Sequence, residues 1–129
     1  MTIKYSELLT QFEACSVNPA EFGHREHVQV AYEMLHKYDY LEACAKYATT
    51  INTIATTAGA PDKFNVTITF AFLSLIAERI HTTKQTRFDL FLEKNQDLLS
   101  KNALSKWYSS EQLASDFART HFLLPSKAA

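Results

Sequence analysis

The sequence predicts an all-α fold: a single helical domain of four main helices with a cover of short helices at the C-terminal end. Only two glycines and three prolines occur in 129 residues, fewer turn-forming residues than a sheet protein usually carries. Apolar residues recur at intervals of three and four along much of the chain, which is the helical period. Hydrophobic residues make up 47% of the chain, enough for one sizeable core.

The first three predicted helices follow from this periodicity. Residues 3–15 form an amphipathic helix that ends at the stretch 16–19, which closes with a proline. A second helix covers about 23–38 and a third about 40–58. Gly59 follows the third helix, at the position where a left-handed residue commonly ends a helix.

The segment from residue 63 to 81 carries two conflicting patterns. Between Phe64 and Phe72 apolar and polar residues alternate, as in a half-buried strand. No other segment offers a comparable strand to pair with, and a lone strand is not stable. The apolar run also continues without a break into a stretch that is helical in character. We therefore predict a helix over 63–81, apolar on most sides and central to the bundle.

Beyond residue 82 the predicted helices are short. They cover 88–92, 97–106 and a segment that begins at 110–113, and Ser115 is a candidate N-cap for a last one. Aromatic and aliphatic residues in this region provide the apolar surface to pack against the bundle. The whole chain, residues 1–129, is thus predicted to form one domain.

Net charge and the distribution of apolar residues indicate which partners and which cellular compartment to expect. The net charge is −1 and no basic stripe is visible, which argues against nucleic acid as the main partner. No apolar run reaches the roughly 18–20 residues of a membrane span. The N-terminal residues lack the apolar region of a signal peptide, so a cytoplasmic location is predicted. Cys15 and Cys44 lie among apolar residues and are predicted to be reduced and buried.

The most informative motif is the histidine pair at the start of the second helix. His24 and His27 are three residues apart, so they share a helix face, and that face continues as an apolar stripe through Ala31. The imidazoles are therefore predicted to point towards the core. The positive end of the helix dipole disfavours a second proton on each ring. Neutral, paired imidazoles suit metal ligation or acid–base catalysis.

Two interpretations of this pair remain open. His24 and His27 can supply two ligands to a transition metal such as Zn²⁺ or Fe, with a third ligand needed from elsewhere. Alternatively, both are capping or core histidines that bond to backbone carbonyls. Without a metal, one histidine is a candidate general base, and the other histidine or Asn65 positions or polarises the substrate.

Polar residues near the start of the fourth helix complete a predicted pocket. Asn65 and Thr69 are four residues apart and share a face that continues to Phe72. We predict that they meet His24 and His27 above an aromatic floor of Tyr32 and Phe72, the usual composition of a small-molecule site. The alternative is that the threonines of this segment only bond back to preceding carbonyls.

Two Glu-x-x-His pairs resemble the ligand pairs of four-helix di-iron proteins. Glu33 and His36 fall opposite the apolar stripe of the second helix, and Glu78 and His81 lie near the end of the fourth. Both pairs are therefore predicted to face solvent, which disfavours a di-iron centre.

Three motifs together resemble a family of small, largely uncharacterised bacterial proteins and cover most of the chain. The family carries Phe-x-His-x-x-His, then Gly-x-x-Lys-Tyr-His-x-Thr-x-Thr, then Tyr-Tyr-Ser-x-Glu-x-Leu-x-Ser. The corresponding residues here are Phe22, His24, His27; Gly59, Lys63, Phe64, Asn65, Thr67, Thr69; and Trp107, Tyr108, Ser109, Glu111, Leu113, Ser115. The resemblance implies an all-helical domain in which the two histidine-bearing segments face one site. Asn65 replaces the third histidine, and a neutral amide oxygen is a weak ligand for transition metals.

These observations predict a cytoplasmic protein that binds a small molecule through a paired-histidine site. The predicted catalytic residues are His24 and His27, which are also the candidate metal ligands. The alternative is a non-catalytic helical interaction module whose histidines have structural roles. The sequence does not identify the substrate or the oligomeric state.

Overall fold

The computed structural model describes residues 5–125, and within that range the structure is helical and contains no strand, which confirms the predicted fold class. The helices are α1 (Glu7–Glu13), α2 (His24–Lys37), α3 (Tyr40–Thr57), α4 (Val66–Thr83), α5 (Phe88–Lys94), α6 (Ser110–Leu113) and α7 (Asp116–Thr120). Short 3₁₀ turns lie at Pro61–Lys63 and Gln96–Leu99. None of the helices in this range has the length and apolar character needed to cross a bilayer.

Side-chain caps explain where several helices begin. The Ser6 hydroxyl accepts a hydrogen bond from Leu9 N at 3.2 Å at the start of α1. Asp39 caps α3 in the same way. Each cap satisfies one of the N–H groups that a helix start leaves without an intrahelical partner.

The end of α3 is fixed by Gly59, as predicted. Its φ is 76°, in the left-handed region. Ala60 N donates to Ala55 O at 2.9 Å and Gly59 N to Thr56 O at 3.0 Å. This pair of bonds is the Schellman pattern, which satisfies two of the terminal carbonyls and turns the chain towards α4.

The ambiguous segment is helical and central, as predicted. α4 packs against α2, α3, α5 and α7, so apolar residues on several of its sides are covered by other helices. It begins at Val66 rather than at residue 63, because Pro61–Lys63 form a 3₁₀ turn and Asn65 is the extended N-cap. The chain reverses at the α2–α3 and α3–α4 connections, which places the starts of α2 and α4 at the same end of the bundle.

The predicted helix over 97–106 is wrong. Gln96–Leu99 form a 3₁₀ turn, and turns follow as far as Trp107. Ser100 explains part of the difference, because its hydroxyl accepts from Asn102 N at 3.0 Å and offers the backbone an alternative to the helix. Arg79 holds this region against α4 through two bonds of 2.7 Å to the carboxylate of Asp97.

Cys15 is exposed, so the prediction that it is buried is wrong. α1 ends at Glu13, and Cys15 adopts a left-handed φ of 55° just beyond it, which leaves the side chain exposed. Cys44 is buried, as predicted. Residues 3 and 4 of the predicted first helix lie outside the described residues.

One of the two Glu-x-x-His predictions is also wrong. Glu78 and His81 are exposed, as predicted. Glu33 is only 5% exposed and His36 is half-buried. The cause is α1, which packs on α2 and brings the backbone N–H of Ser6 to 2.7 Å from a carboxylate oxygen of Glu33.

Candidate functional site

The starts of α2 and α4 open onto one cavity of about 340 Å³. Five of the six predicted site residues line it: His24, His27, Asn65, Thr69 and Phe72. Its volume is at the lower end of the ~300–1,000 Å³ range of ligand pockets. The structure thus brings together two polar clusters that are about forty residues apart in the sequence.

Tyr32, the sixth predicted residue, does not line this cavity. It lies five residues after His27, which places it roughly 140° around the helix. Its hydroxyl donates to Gln85 O at 2.7 Å, and its ring packs edge-on against Phe91. Tyr32 is therefore a core residue on the opposite side of α2, and burial raises its pKa to about 12.

His27 is held in one defined tautomer. Its Nδ1 lies 2.7 Å from Gly23 O, and because a carbonyl can only accept, Nδ1 carries the proton. Nε2 is then the nitrogen with a lone pair. The ring is half-buried and lies against Phe22 with a centroid distance of 4.3 Å. Desolvation by burial is the largest effect and lowers the pKa of His27, while the hydrogen bond to Gly23 O opposes it by raising the pKa. Two smaller effects follow, because the nearby His24 lowers the pKa and Glu26 raises it. His27 is therefore neutral at pH 7.

His24 is oriented by residues outside α2. Its Nε2 donates to Leu98 O at 2.7 Å, and its ring stacks on Phe72 with centroids 5.3 Å apart and planes 10° apart. The side chain is exposed overall, so it forms part of the cavity rim. Each histidine thus donates one ring N–H to a backbone carbonyl, as the alternative interpretation predicts, while both also line the cavity.

The lowered pKa of His27 predicts a pH-dependent stability. The ordinary pKa of histidine is about 6.5. Above that pH the ring is neutral in both the folded and the unfolded chain, so its titration does not change the free energy of unfolding. As the pH falls below 6.5, the unfolded chain binds the proton more readily, and the free energy of unfolding falls until the pH passes the folded-state pKa.

Two measurements check this expectation. Side-chain NMR of labelled histidines, between about pH 8 and pH 5, should show His27 as the Nδ1–H tautomer titrating below 6.5. Denaturant unfolding of the His27→Phe variant should show a weaker loss of stability over the same interval. A His27 resonance that titrates above 6.5 contradicts the burial argument.

Asn65 has a structural role alongside its place in the cavity wall. Its Oδ1 accepts from Ile68 N at 2.9 Å, as the N-cap of α4, and its Nδ2 donates to Leu113 O at 2.7 Å. Thr69 lies one turn further along the same face and is half-buried. Thr67 is not part of the wall, since its hydroxyl bonds to the backbone of His121 and Leu123.

Sequence reasoning missed several lining residues. Four apolar ones form the floor: Tyr47, Ile51, Leu73 and Ile76. The pair on α3 is spaced i, i+4 on its apolar stripe, which was a usable signal. Burial raises the pKa of Tyr47, which keeps its phenol neutral. Lys63 and Phe64 also line the cavity, and the direction of their side chains depends on a 3₁₀ turn that the sequence pattern did not predict.

The donor set does not fit a transition metal. Within residues 5–125 no group of three or more His, Cys, Asp or Glu side chains is placed to hold one. His24 and His27 offer one nitrogen each after their carbonyl bonds. The third candidate, Asn65 Oδ1, is a weak ligand that already accepts from Ile68 N. The residues of this cavity therefore do not make a binding site for zinc or iron.

Comparison with family models, with curated proteins and with solved structures finds no match to this chain. The resemblance to the bacterial family with paired histidine segments therefore stays a prediction.

Proposed function

We propose that the protein binds a small organic molecule in the cavity between α2 and α4. In this proposal Nε2 of His27 accepts a hydrogen bond from the ligand. If the proton in that hydrogen bond is acidic enough, it transfers from the ligand to Nε2, and His27 is the general base of an enzyme.

The observation that carries the proposal is the state of His27. A neutral imidazole with a fixed tautomer lines a cavity whose floor is apolar. A lowered pKa weakens the imidazole as a base but removes any need to deprotonate it first at pH 7. The Gly23 carbonyl also fixes the ring orientation, as a supporting partner does in acid–base sites.

A pocket-filling variant tests whether this cavity is where ligands bind. Thr69→Trp places an indole at the half-buried wall position, and Thr82→Trp puts the same side chain at an exposed position on the same helix. The probe is a library of metabolite-sized compounds, neutral and charged, screened by saturation-transfer NMR. We expect compounds that bind the native chain and Thr82→Trp but lose binding to Thr69→Trp.

Two outcomes would overturn the proposal. One is a screen in which no compound binds the native chain at millimolar concentration. The other is binding that Thr69→Trp leaves unchanged while circular dichroism shows that the variant is folded. Either result would remove the cavity as a ligand site.

A second candidate function is a non-catalytic interaction module. The observation that favours it is that both histidines donate to backbone carbonyls, which is a structural role. His27→Phe separates the two, because phenylalanine keeps a ring beside Phe22 but has no acceptor nitrogen. Under the first proposal, affinity for a hydroxyl-bearing ligand from the screen falls about fivefold. Under the second, His27→Phe changes only the free energy of unfolding.

A further inference from the structure

The charges around the cavity are uneven, and this bears on which ligands it would accept. Lys63 is the single lysine or arginine among the lining residues, and no aspartate or glutamate lines the cavity within the described chain. The protein as a whole has a net charge of −1, so any preference for anions here comes from local placement.

Lys63 is available to a ligand. It is exposed in the 3₁₀ turn, and within residues 5–125 no carboxylate lies within ion-pair distance of it. The neighbouring Asp62 has Arg119 at 3.8 Å instead. Lysine is a flexible point charge with three donors, so Lys63 can reach an anionic group at the cavity mouth.

Glu26 precedes the lining residue His27 on α2, and its carboxylate is already engaged. Its Oε1 accepts from Gly23 N at 2.9 Å at the start of α2. Below the mouth, the floor consists of Ile51, Leu73 and Ile76 together with the neutral Tyr47. A charged group would lose its hydration there without gaining a partner.

From this arrangement we infer that the ligand is an amphipathic carboxylate. Its carboxylate lies at the mouth beside Lys63, and its hydrocarbon or aromatic body lies on the apolar floor next to His27. This inference rests on the proposed function and adds to it the chemical class of the ligand.

The test uses matched probes that differ only in charge. Straight-chain alkanoates of about four to ten carbons and phenylacetate are titrated against the native chain in parallel with their primary amides, which are close in shape. Binding is measured by chemical-shift changes in two-dimensional NMR at low salt. We expect each carboxylate to bind about fivefold more tightly than its amide, the size typical of an exposed ion pair, and the preference to shrink with added salt.

Lys63→Gln removes the charge with little change in length, and Lys101→Gln, at an exposed turn outside the cavity, is the matched control. Lys63→Gln should abolish the preference for the carboxylate and leave amide affinity unchanged, while Lys101→Gln changes neither. If acid and amide bind equally and Thr69→Trp blocks both, the carboxylate inference fails while the proposed function stands. If no acid and no amide binds, the inference fails, and the wider compound screen decides the proposed function.

Discussion

We expect Glu33→Ala to lower the free energy of unfolding by about 3 kcal/mol. The carboxylate of Glu33 is almost fully buried and accepts hydrogen bonds from three donor groups. Ser6 N donates at 2.7 Å, Ser6 Oγ at 2.9 Å and Gln29 Nε2 at 3.1 Å. Truncation leaves these donors without an acceptor in a partly buried position, which costs more than the net value of the bonds themselves. Denaturant unfolding measures the loss.

The second Glu-x-x-His pair provides the matched control. Glu78 is exposed on α4, so Glu78→Ala should change the free energy of unfolding by no more than about 0.5 kcal/mol. Glu33→Gln keeps the shape and one acceptor oxygen and should fall between the two alanine variants. Hydrogen exchange adds a local readout, because losing the Ser6 bonds should release the amides of α1 first. A Glu33→Ala protein with native-like stability would contradict the role assigned to this carboxylate.

The first three helices could be predicted because helical periodicity and the residues at the helix ends agreed. For α4 the signals conflicted: the alternating residues alone favoured a strand, and the lack of any partner strand decided for a helix. The structure shows why such a sequence tolerates the helix: α2, α3, α5 and α7 surround α4, so apolar side chains on several faces are buried. The predicted 97–106 helix failed because local side-chain bonds, such as that of Ser100, are not visible in hydrophobic periodicity.

The presence of His24 and Asn65 in one cavity wall was also predictable, since two reversals of the chain bring the starts of α2 and α4 to the same end of the bundle. Finer features of the site were not. The aromatic side chain of Tyr32 made it a candidate for the floor of the pocket, although its position on the helix turns it away from the cavity. The direction of Lys63 depends on a single 3₁₀ turn. The burial of Glu33 depends on how α1 packs on α2, which no local pattern encodes.

Thr67→Val is expected to lower the free energy of unfolding by about 2 kcal/mol. The Thr67 hydroxyl is fully buried, donates to His121 O at 2.8 Å and accepts from Leu123 N at 2.9 Å. Valine has nearly the same shape but no polar side-chain atom. The carbonyl of His121 and the N–H of Leu123, both in the C-terminal segment 121–125, therefore lose their partner. Tyr108 still donates to Leu123 O at 2.7 Å, so we expect the segment to loosen rather than detach.

Thr67→Ser and Thr82→Val distinguish this explanation from a general effect of the substitution. Thr67→Ser keeps the hydroxyl and should recover most of the stability, since it loses only a methyl group. Thr82→Val makes the same chemical change at an exposed position of α4 and should be nearly neutral. Hydrogen exchange at the Leu123 amide should accelerate in Thr67→Val alone. Valine offers no acceptor to the Leu123 amide, so protection through the bond to Thr67 must disappear in Thr67→Val. If the amide nevertheless exchanges as slowly as in the native chain, the Thr67 hydroxyl does not hold residues 121–123 against α4.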